Sequence, residues 1–252
     1  MQISALVIAR NEEISISKCL ESLKFADEIV VILDRSSDRT EEFSKIYTKK
    51  IFSGNWILEG DRRNFGITKC SYEWILEIDA DEIISKELAK EIKIKIYQKK
   101  YDYFYINLIN YIYNKKIVGG WMACLAPDGK FCLFRRKNKI WSNKKVHPDY
   151  RIFGKKGKEF KNSIDHMMSK NLFELICRFN RNTSLHAEDL FDQEANLKKN
   201  FSIRKIFSRF IKCFFIRKGY KNGGIGLLVA ILCSLYPYVA ALKTKRLENI
   251  KR

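Results

Sequence analysis

Three short apolar runs in the first third of the chain alternate with helical patterns, and this alternation constrains the fold more than any other feature. The runs cover residues 3–9, 28–33 and 74–78. Short continuous apolar runs are typical of strands buried on both faces, and strands that alternate with helices form parallel sheets. We therefore predict an α/β fold with a mostly parallel sheet flanked by helices.

Each of these apolar runs stops at a cluster of polar residues. The clusters cover residues 10–12, 34–38 and 79–81. In open α/β sheets, ligands bind outside the carboxyl ends of the strands. The sequence therefore predicts a ligand site where the three clusters meet.

The remaining elements follow from similar patterns. We predict a third strand at 50–52, a helix at 61–70, and strands at 101–113 and 131–136. Asn11 suits the N-cap of the first helix, because its side chain can accept a hydrogen bond from a backbone N–H. The pattern turns helical at residue 172, and residues 188–221 are predicted to form one long basic amphipathic helix or a pair of helices.

The last polar cluster contains the pair Asp79 and Asp81 within the segment 77–82. Most such Asp-x-Asp tripeptides are solvated turns, but a position directly after a buried strand favours a functional role. Hard divalent cations such as Mg²⁺ and Mn²⁺ prefer oxygen ligands and keep positions open for phosphate oxygens. We therefore predict that Asp79 and Asp81 hold a metal ion that bridges a diphosphate.

The second cluster and the helix before the third run supply further candidates. Asp34 can accept a hydrogen bond from a base or a ribose, although a residue there can also cap a turn. Arg62 and Arg63 can donate in bidentate fashion to a diphosphate or a base. Adjacent helix residues point about 100° apart, so we expect one of the two arginines to face solvent.

Four motifs in residues 1–90 resemble those of family 2 glycosyltransferases and occur in the same order. They are Ile8-Ala9-Arg10-Asn11-Glu12-Glu13, Asp34-x-Ser36-Ser37-Asp38-x-Thr40, Arg63-Asn64-x-Gly66 and Ile78-Asp79-Ala80-Asp81-Glu82. The resemblance implies a nucleotide-diphospho-sugar transferase fold of the GT-A type and inversion by direct displacement. It implies a base contact from Asp34 and a metal at Asp79 and Asp81, with Asp81 closest to the ion. The residues that it implies for nucleotide-sugar binding are Ala9, Asn11, Glu12, Asp34, Arg63 and Asp79.

Later motifs are similar to those of the lipopolysaccharide core glucosyltransferase subgroup. They are Gly119-Gly120-Trp121, Pro127-Asp128, Leu133-Phe134-Arg135-Arg136, Trp141 and Val146-His147. The resemblance implies transfer of a hexose, glucose from UDP-glucose, to a lipid-linked saccharide such as the lipopolysaccharide inner core. Trp121, Arg136 and His147 are the residues that it suggests as contacts of the acceptor or the diphosphate.

The identity of the catalytic base is left open by the resemblance. Many subgroup members have Glu after the Val-His pair, whereas this chain has Pro148 followed by Asp149. A carboxylate is needed to deprotonate the acceptor hydroxyl. Asp128 and Asp149 are the candidates, and we favour Asp128 because it lies within the block of later motifs.

The formal net charge of +19 calls for an anionic partner, and its distribution indicates the C-terminal part. Residues 195–247 contain no Asp or Glu, whereas Lys and Arg recur. Phe207, Phe210 and Phe214 fall at helical spacing beside these cations, which is typical of a helix on an anionic membrane surface.

An uncharged run at residues 225–242 is close to the shortest length that spans a bilayer. We expect peripheral or monotopic association with the cytoplasmic face of the inner membrane rather than a full span. Seven cysteines without C-x-x-C spacing also favour reduced thiols in a cytoplasmic setting. The predicted regions are a catalytic domain at 1–190, with a donor-nucleotide half at 1–95 and an acceptor half at 96–190, and a membrane-associating helical region at 191–252.

Two other functions would use many of the same features. A polyprenyl-phosphate sugar transferase would share the nucleotide half but take a phosphate acceptor. A non-catalytic adaptor for membranes or nucleic acid would explain the basic C-terminal part. It would leave the carboxylates at the strand ends unexplained, and no RNA-binding motif is visible, so we expect no nucleic acid partner.

Overall fold

The computed structural model describes residues 1–120, 122–143, 149–197 and 200–251. The chain forms two compact units. The first contains Met1–Ile109 and Gly129–His166, and the second contains Asn110–Asp128 and Met167–Arg252. These bounds differ from the functional division predicted at residue 190, which remains a prediction.

The described chain contains eleven strands and seven α-helices. The strands are β1 Ile3–Ala9, β2 Glu28–Asp34, β3 Ile51–Gly54, β4 Trp74–Asp79, β5 Glu82–Ile83, β6 Tyr103–Ile112, β7 Lys115–Lys116, β8 Gly129–Arg135, β9 Lys139–Trp141, β10 Tyr150–Ile152 and β11 Ile164–Ser169. The helices are α1 Ile16–Ser22, α2 Thr40–Ser44, α3 Glu59–Lys69, α4 Lys86–Ile96, α5 Leu172–Asp192, α6 Ile203–Ile211 and α7 Gly223–Lys251. A π-helical turn, Lys212–Ile216, and a 3₁₀ turn, Gly219–Asn222, lie between α6 and α7.

The main sheet has the strand order β3-β2-β1-β4-β8-β6-β11-β5, and β7 pairs with β6. β3, β2, β1 and β4 run parallel, and β8 joins β4 in antiparallel orientation. All of β1 is buried, and its successive side chains enter opposite faces of the sheet. Val7 packs with Leu20 of α1 on one face, whereas Leu6 packs with Ile67 of α3 on the other. The predicted α/β fold is confirmed.

Helix α3 lies close to the backbone just beyond β9. A side chain at Gly60 would overlap the carbonyl oxygen of Ser142, so the approach requires glycine. One turn later, Asn64 Nδ2 donates to the carbonyl oxygen of Trp141 at 2.9 Å, and the N–H of Trp141 donates to Asn64 Oδ1 at 2.9 Å. These contacts fix α3 beside β9, and α3 carries both candidate arginines.

The N-cap prediction for Asn11 is wrong. Helix α1 begins at Ile16, and Asn11 has a φ of 54°, a left-handed conformation that asparagine adopts more readily than most residues. Its side-chain oxygen accepts a hydrogen bond from the N–H of Ser37 at 2.8 Å. Asn11 therefore ties the loop after β1 to the loop after β2.

The second unit packs α5 against α7. Its apolar core includes Leu175 of α5 and Val229 of α7, and Tyr236 Oη donates to the carbonyl oxygen of Asn182 at 2.9 Å. The predicted basic helical region at 188–221 is a pair: α5 ends at Asp192, and α6 is separate. In the described part of the chain, one helical segment, Gly219–Ile250, is long and apolar enough to cross a membrane, and half of its apolar window is buried.

Candidate active site at the carboxyl edge of the parallel strands

The carboxyl ends of β1, β2 and β4 meet at one edge of the sheet. The N–H of Glu13, after β1, donates to Asp38 Oδ2, after β2, at 3.0 Å. In the pairing of β1 with β4, Ile8 lies opposite Asp79. The prediction that the three polar clusters lie together is confirmed.

The residues predicted to contact the donor from the end of β1 differ in exposure. Ala9 is buried, so it offers backbone atoms rather than its side chain. Asn11 is exposed, and Glu12 is half-buried. The N–H of Glu12 donates to Thr40 Oγ1 at 2.7 Å, and its Oε2 accepts from Ser15 Oγ at 2.5 Å. Glu12 therefore stabilises the turn after β1.

Asp34 ends β2 as a buried carboxylate held by two arginines. Arg62 Nη1 and Arg35 Nη2 donate to its Oδ2 at 2.8 Å and 2.9 Å. The N–H of Trp56 donates to its Oδ1 at 3.2 Å. Burial alone would raise the pKa of Asp34, but these partners, led by Arg35, outweigh burial and lower it. Asp34 is thus an ionised acceptor at the carboxyl end of β2.

Both arginines of α3 point towards this edge, so the expectation that one would face solvent is wrong. Arg62 binds Asp34, and Arg63 Nη2 donates to Asp79 Oδ1 at 3.2 Å. The two side chains point in different directions, but Asp34 ends β2 and Asp79 ends β4, so each arginine reaches a different carboxylate. Arg62 Nε is buried and has no hydrogen-bond partner among the described residues. An acceptor on a bound ligand would satisfy this otherwise costly donor.

A buried ion cluster lies beneath Asp79 and centres on Glu77. Glu77 accepts hydrogen bonds from Arg63 Nη1 at 2.5 Å and from Lys139 Nζ at 2.9 Å, and Trp141 Nε1 lies 3.3 Å away. Burial would raise the pKa of Glu77, but the charges of Lys139 and Arg63 lower it to about 2. Glu77 therefore holds Arg63 in the orientation from which its other nitrogen reaches Asp79.

Lys130 joins Asp79 to Glu82 on the following turn. Its Nζ lies 3.1 Å from Asp79 Oδ2 and 2.5 Å from Glu82 Oε2. Burial opposes ionisation of Asp79, but Lys130 and Arg63 outweigh it and hold its pKa far below the usual range. Burial and the nearby carboxylates of Asp79 and Asp81 together raise the pKa of Glu82 to about 7. The positive charge of Lys130 lowers this pKa but only partly offsets them.

Asp81 has a different partner, the buried imidazole of His166. His166 Nε2 lies 3.2 Å from Asp81 Oδ2. β11 brings the histidine there, because it pairs with β5 so that His166 lies opposite Glu82. About a fifth of the Asp81 side chain is exposed, so a ligand can approach it.

Asp79 and Asp81 both present carboxylate oxygens, the ligands that hard divalent cations prefer, at this edge. Asp79 Oδ1 and Oδ2 accept from Arg63 and Lys130, and Asp81 Oδ2 lies beside the imidazole of His166. Within the described residues, no group of three or more His, Cys, Asp or Glu side chains is arranged to hold a metal ion. Mg²⁺ sites often have only one or two protein carboxylates, and substrate phosphates complete the coordination.

Of the other predicted site residues, Arg136 is not at this edge. Arg136 lies at the opposite end of the sheet, because β8 is antiparallel and Arg135 pairs with Trp74 at the start of β4. Arg136 Nη1 donates to the carbonyl oxygen of Cys70 at 2.8 Å, so the structure does not support its role as a substrate contact. Asp128 is exposed and belongs to the second unit, and Asp149 is exposed in the first. Trp121 and His147 lie outside the described residues.

Sequence reasoning missed three partners of the acidic residues. Lys130 is the second residue of β8, and Lys139 begins β9 and is almost fully buried. A charged residue within an apolar strand, such as Glu77, was the available signal that buried cations must exist elsewhere. His166 lies 85 residues beyond Asp81, and no local spacing links the two.

Comparison with known proteins decides the family. Residues 4–153 match the model of the family described as Glycosyl transferase family 2. The chain belongs to this family. It is 29% identical over 265 residues to an uncharacterized glycosyltransferase of Rickettsia bellii, covering 98% of this chain and 87% of the relative. It is 26% identical to the lipopolysaccharide core biosynthesis glycosyltransferase LpsC of Rhizobium meliloti, covering 100% of this chain and 94% of LpsC.

Solved structures give a more distant likeness. S. aureus TarS, residues 1–349, is 15% identical with a TM-score of 0.47, covering 100% of this chain and 91% of that chain. Glucosyl-3-phosphoglycerate synthase from Mycobacterium tuberculosis, in complex with Mn²⁺ and UDP-glucose, is 18% identical with a TM-score of 0.37, covering 44% of each chain.

Proposed function

We propose that this chain is an inverting, metal-dependent transferase that moves glucose from UDP-glucose onto a lipid-linked saccharide, the lipopolysaccharide inner core. The observation that carries the proposal is the edge where Asp34, Asp79 and Asp81 follow the ends of strands in a family 2 chain. Similarity to LpsC over the full chain supports the core saccharide as the acceptor.

The nucleotide is proposed to bind along the ends of β1 and β2. The ionised Asp34 accepts from the uracil base, and Arg35, which is 41% exposed, is the partner that can most easily swing aside. Arg62 Nε, buried and without a partner in the described chain, supplies a donor for the same ligand. Arg63, which donates to Asp79, and Asn11, which bonds to the loop after β2, are proposed to contact the rest of the nucleotide sugar.

A Mg²⁺ or Mn²⁺ ion would be held mainly by the carboxylate of Asp81, which lies beside the imidazole of His166. When bound, the ion supplies charge neutralisation for the departing nucleoside diphosphate. Asp79 contributes differently, because Arg63 and Lys130 fix its carboxylate in place. These cations also place positive charge beside the position where the leaving group becomes negative.

The acceptor hydroxyl must lose a proton during direct displacement, and Asp128 and Asp149 are the proposed candidates for the base. Both carboxylates are exposed and therefore accessible to an acceptor. Separate Asp128→Asn and Asp149→Asn variants should differ sharply: the base variant should lose about 10²-fold or more in kcat while still binding UDP. Equal kcat in both variants and the parent chain would exclude both residues.

A lipid-linked acceptor places the reaction at a membrane. We propose peripheral or monotopic association of the C-terminal region with the cytoplasmic face of the inner membrane, where nucleotide sugars are available. The basic composition of residues 195–247 supports this location.

A sugar-nucleotide screen tests the proposal. Purified protein with Mn²⁺ and a lipid-linked core saccharide should release UDP fastest from UDP-glucose, and Asp81→Asn should abolish transfer without altering the circular dichroism spectrum. Asp192→Asn is the matched control, because Asp192 is an exposed residue at the end of α5. Full activity of Asp81→Asn would refute the metal assignment, and transfer only to polyprenyl phosphate would replace the acceptor class.

A further inference from the structure

Helix α6 has its apolar face on the outside. Ile203, Phe207 and Ile211 recur every four residues and so share one face of the helix. Their exposed fractions are 66%, 65% and 48%, and no residue of α6 is buried. Phe215, in the π-helical turn that follows, is also exposed. We call Ile203, Phe207, Ile211 and Phe215 the apolar ridge.

Phe210 and Phe214, which helical spacing predicted on one apolar stripe with Phe207, are less exposed than Phe207. They stack on each other with centroids 5.5 Å apart and are half-buried. The exposed ridge is therefore not the aromatic stripe that helical spacing predicted. It consists mainly of the residues one position further along the helix.

The other face of α6 is basic and lines a groove against α7. The groove has a volume of about 320 Å³, and it is lined by Lys205 and Arg209 of α6 and by Lys212 of the π-helical turn. Ser234 and Tyr238 of α7 add hydroxyl groups. None of the described residues that line the groove is acidic, so it suits an anion with several oxygen acceptors, such as a phosphate group.

These two faces reverse the usual arrangement of a helix on a soluble domain, which buries its apolar face and exposes its charges. An anionic phospholipid bilayer matches both faces at once, because its headgroup boundary accepts apolar side chains and its phosphates attract cations. The absence of Asp and Glu from residues 195–247 leaves the segment with one sign of charge. Charge complementarity therefore favours an anionic bilayer over a second copy of this basic chain.

We propose that α6 docks the protein on anionic membranes, with the apolar ridge entering the headgroup boundary and the basic groove binding a lipid phosphate. The inference rests on the proposed function only in that a lipid-linked acceptor requires a nearby bilayer. It adds which surface faces the lipid, and it assigns the docking to α6 rather than to the long apolar helix α7.

Co-sedimentation of the full chain with vesicles, without any sugar nucleotide, tests the proposal. Binding to vesicles of 70% phosphatidylcholine and 30% phosphatidylglycerol should exceed binding to pure phosphatidylcholine by at least about tenfold, since each cation near an anionic surface contributes about fivefold. Ile203→Gln should weaken binding about tenfold. Ile94→Gln is the matched control, because Ile94 is equally exposed, at 66%, on α4.

The groove is tested with paired lysine variants. Lys205→Gln combined with Lys212→Gln should weaken binding to anionic vesicles about 25-fold and leave binding to neutral vesicles unchanged. Lys90→Gln combined with Lys93→Gln removes the same charge from exposed positions on α4 and should have much less effect. If both double variants lost vesicle binding equally, the effect would reflect net charge alone, and phosphate binding in the groove would be refuted.

Two further results would overturn the inference. Retained vesicle binding in Ile203→Gln and Phe207→Gln would show that the ridge does not enter the membrane. Light scattering without vesicles tests the alternative. If the parent chain forms dimers and these variants do not, the apolar ridge contacts a second copy of the chain and not a membrane. The α6 variants should keep the UDP-glucose hydrolysis rate of the parent chain in solution. A failure of membrane docking can therefore be distinguished from a failure of the proposed transferase activity.

Discussion

Replacing Glu77 with glutamine should destabilise the first unit more than any other conservative change at the site. The substitution keeps the shape of the side chain but leaves the buried cations Lys139 and Arg63 without their shared carboxylate. Removing one partner of a buried ion pair typically costs about 3–5 kcal/mol, because the remaining charge is uncompensated.

The lowered pKa of Glu77 gives a second estimate of how much its charge stabilises the fold. Its pKa is lowered from 4.5 to about 2. Each pKa unit is worth about 1.4 kcal/mol, so the charged form of Glu77 contributes about 3 kcal/mol to folding. Because the folded pKa is the lower one, this contribution is complete above pH 4.5 and is lost as the pH falls towards 2.

Urea unfolding followed by tryptophan fluorescence measures the effect. Glu77→Gln should lower the free energy of unfolding by about 3 kcal/mol at pH 7, and the difference from the parent chain should be about 1 kcal/mol smaller at pH 4. Lys139→Met should cost less, because Arg63 and Trp141 still contact the carboxylate. Glu87→Gln, at an exposed position on α4, should change stability by less than about 1 kcal/mol.

A loss below about 1 kcal/mol in Glu77→Gln would show that the buried cations do not depend on this carboxylate. A loss that stays constant between pH 7 and pH 4 would show that the ionisation of Glu77 is not the source of the loss. If Lys139→Met were as destabilising as Glu77→Gln, the cluster would depend on the lysine rather than on the shared carboxylate.

Two other changes test how the donor end is built. Asp34→Asn should weaken UDP binding about 10–100-fold, because a charged acceptor is lost, and unchanged affinity by calorimetric titration would contradict the base contact. Gly60→Ala should lower the free energy of unfolding by about 1–3 kcal/mol, because its new methyl group overlaps the carbonyl oxygen of Ser142. Gly224→Ala, in open space on α7, should be neutral or stabilising, and equal losses in the two variants would contradict the close packing of α3.

The parallel part of the fold could be predicted because its strands are short apolar runs that end in polar residues. Strand ends in such a sheet share one edge, and that rule places Asp34, Asp79 and the loop after β1 together without any structure. The rule says nothing about which antiparallel strand follows β4. Lys130 and His166 therefore could not be predicted, because β8 and β11 bring them to the site by pairings between distant segments.

Local patterns also misled where a tertiary contact prevailed. Asn11 is a residue type typical of N-caps, but its side chain bonds to the loop after β2. Arg136 belongs to a motif of the resemblance, but β8 is antiparallel and places it at the end of the sheet opposite the candidate site. On α6, spacing identified an amphipathic helix, but which apolar side chains are exposed depends on packing against α7.

Asp81 is proposed to hold the metal ion with which the nucleotide sugar binds. Calorimetric titration of UDP into the purified chain, with and without Mn²⁺, tests it most directly. Mn²⁺ should tighten UDP binding by at least about tenfold in the parent chain and in Asp192→Asn, and it should have no such effect in Asp81→Asn. The same Mn²⁺-dependent gain in Asp81→Asn would contradict the account.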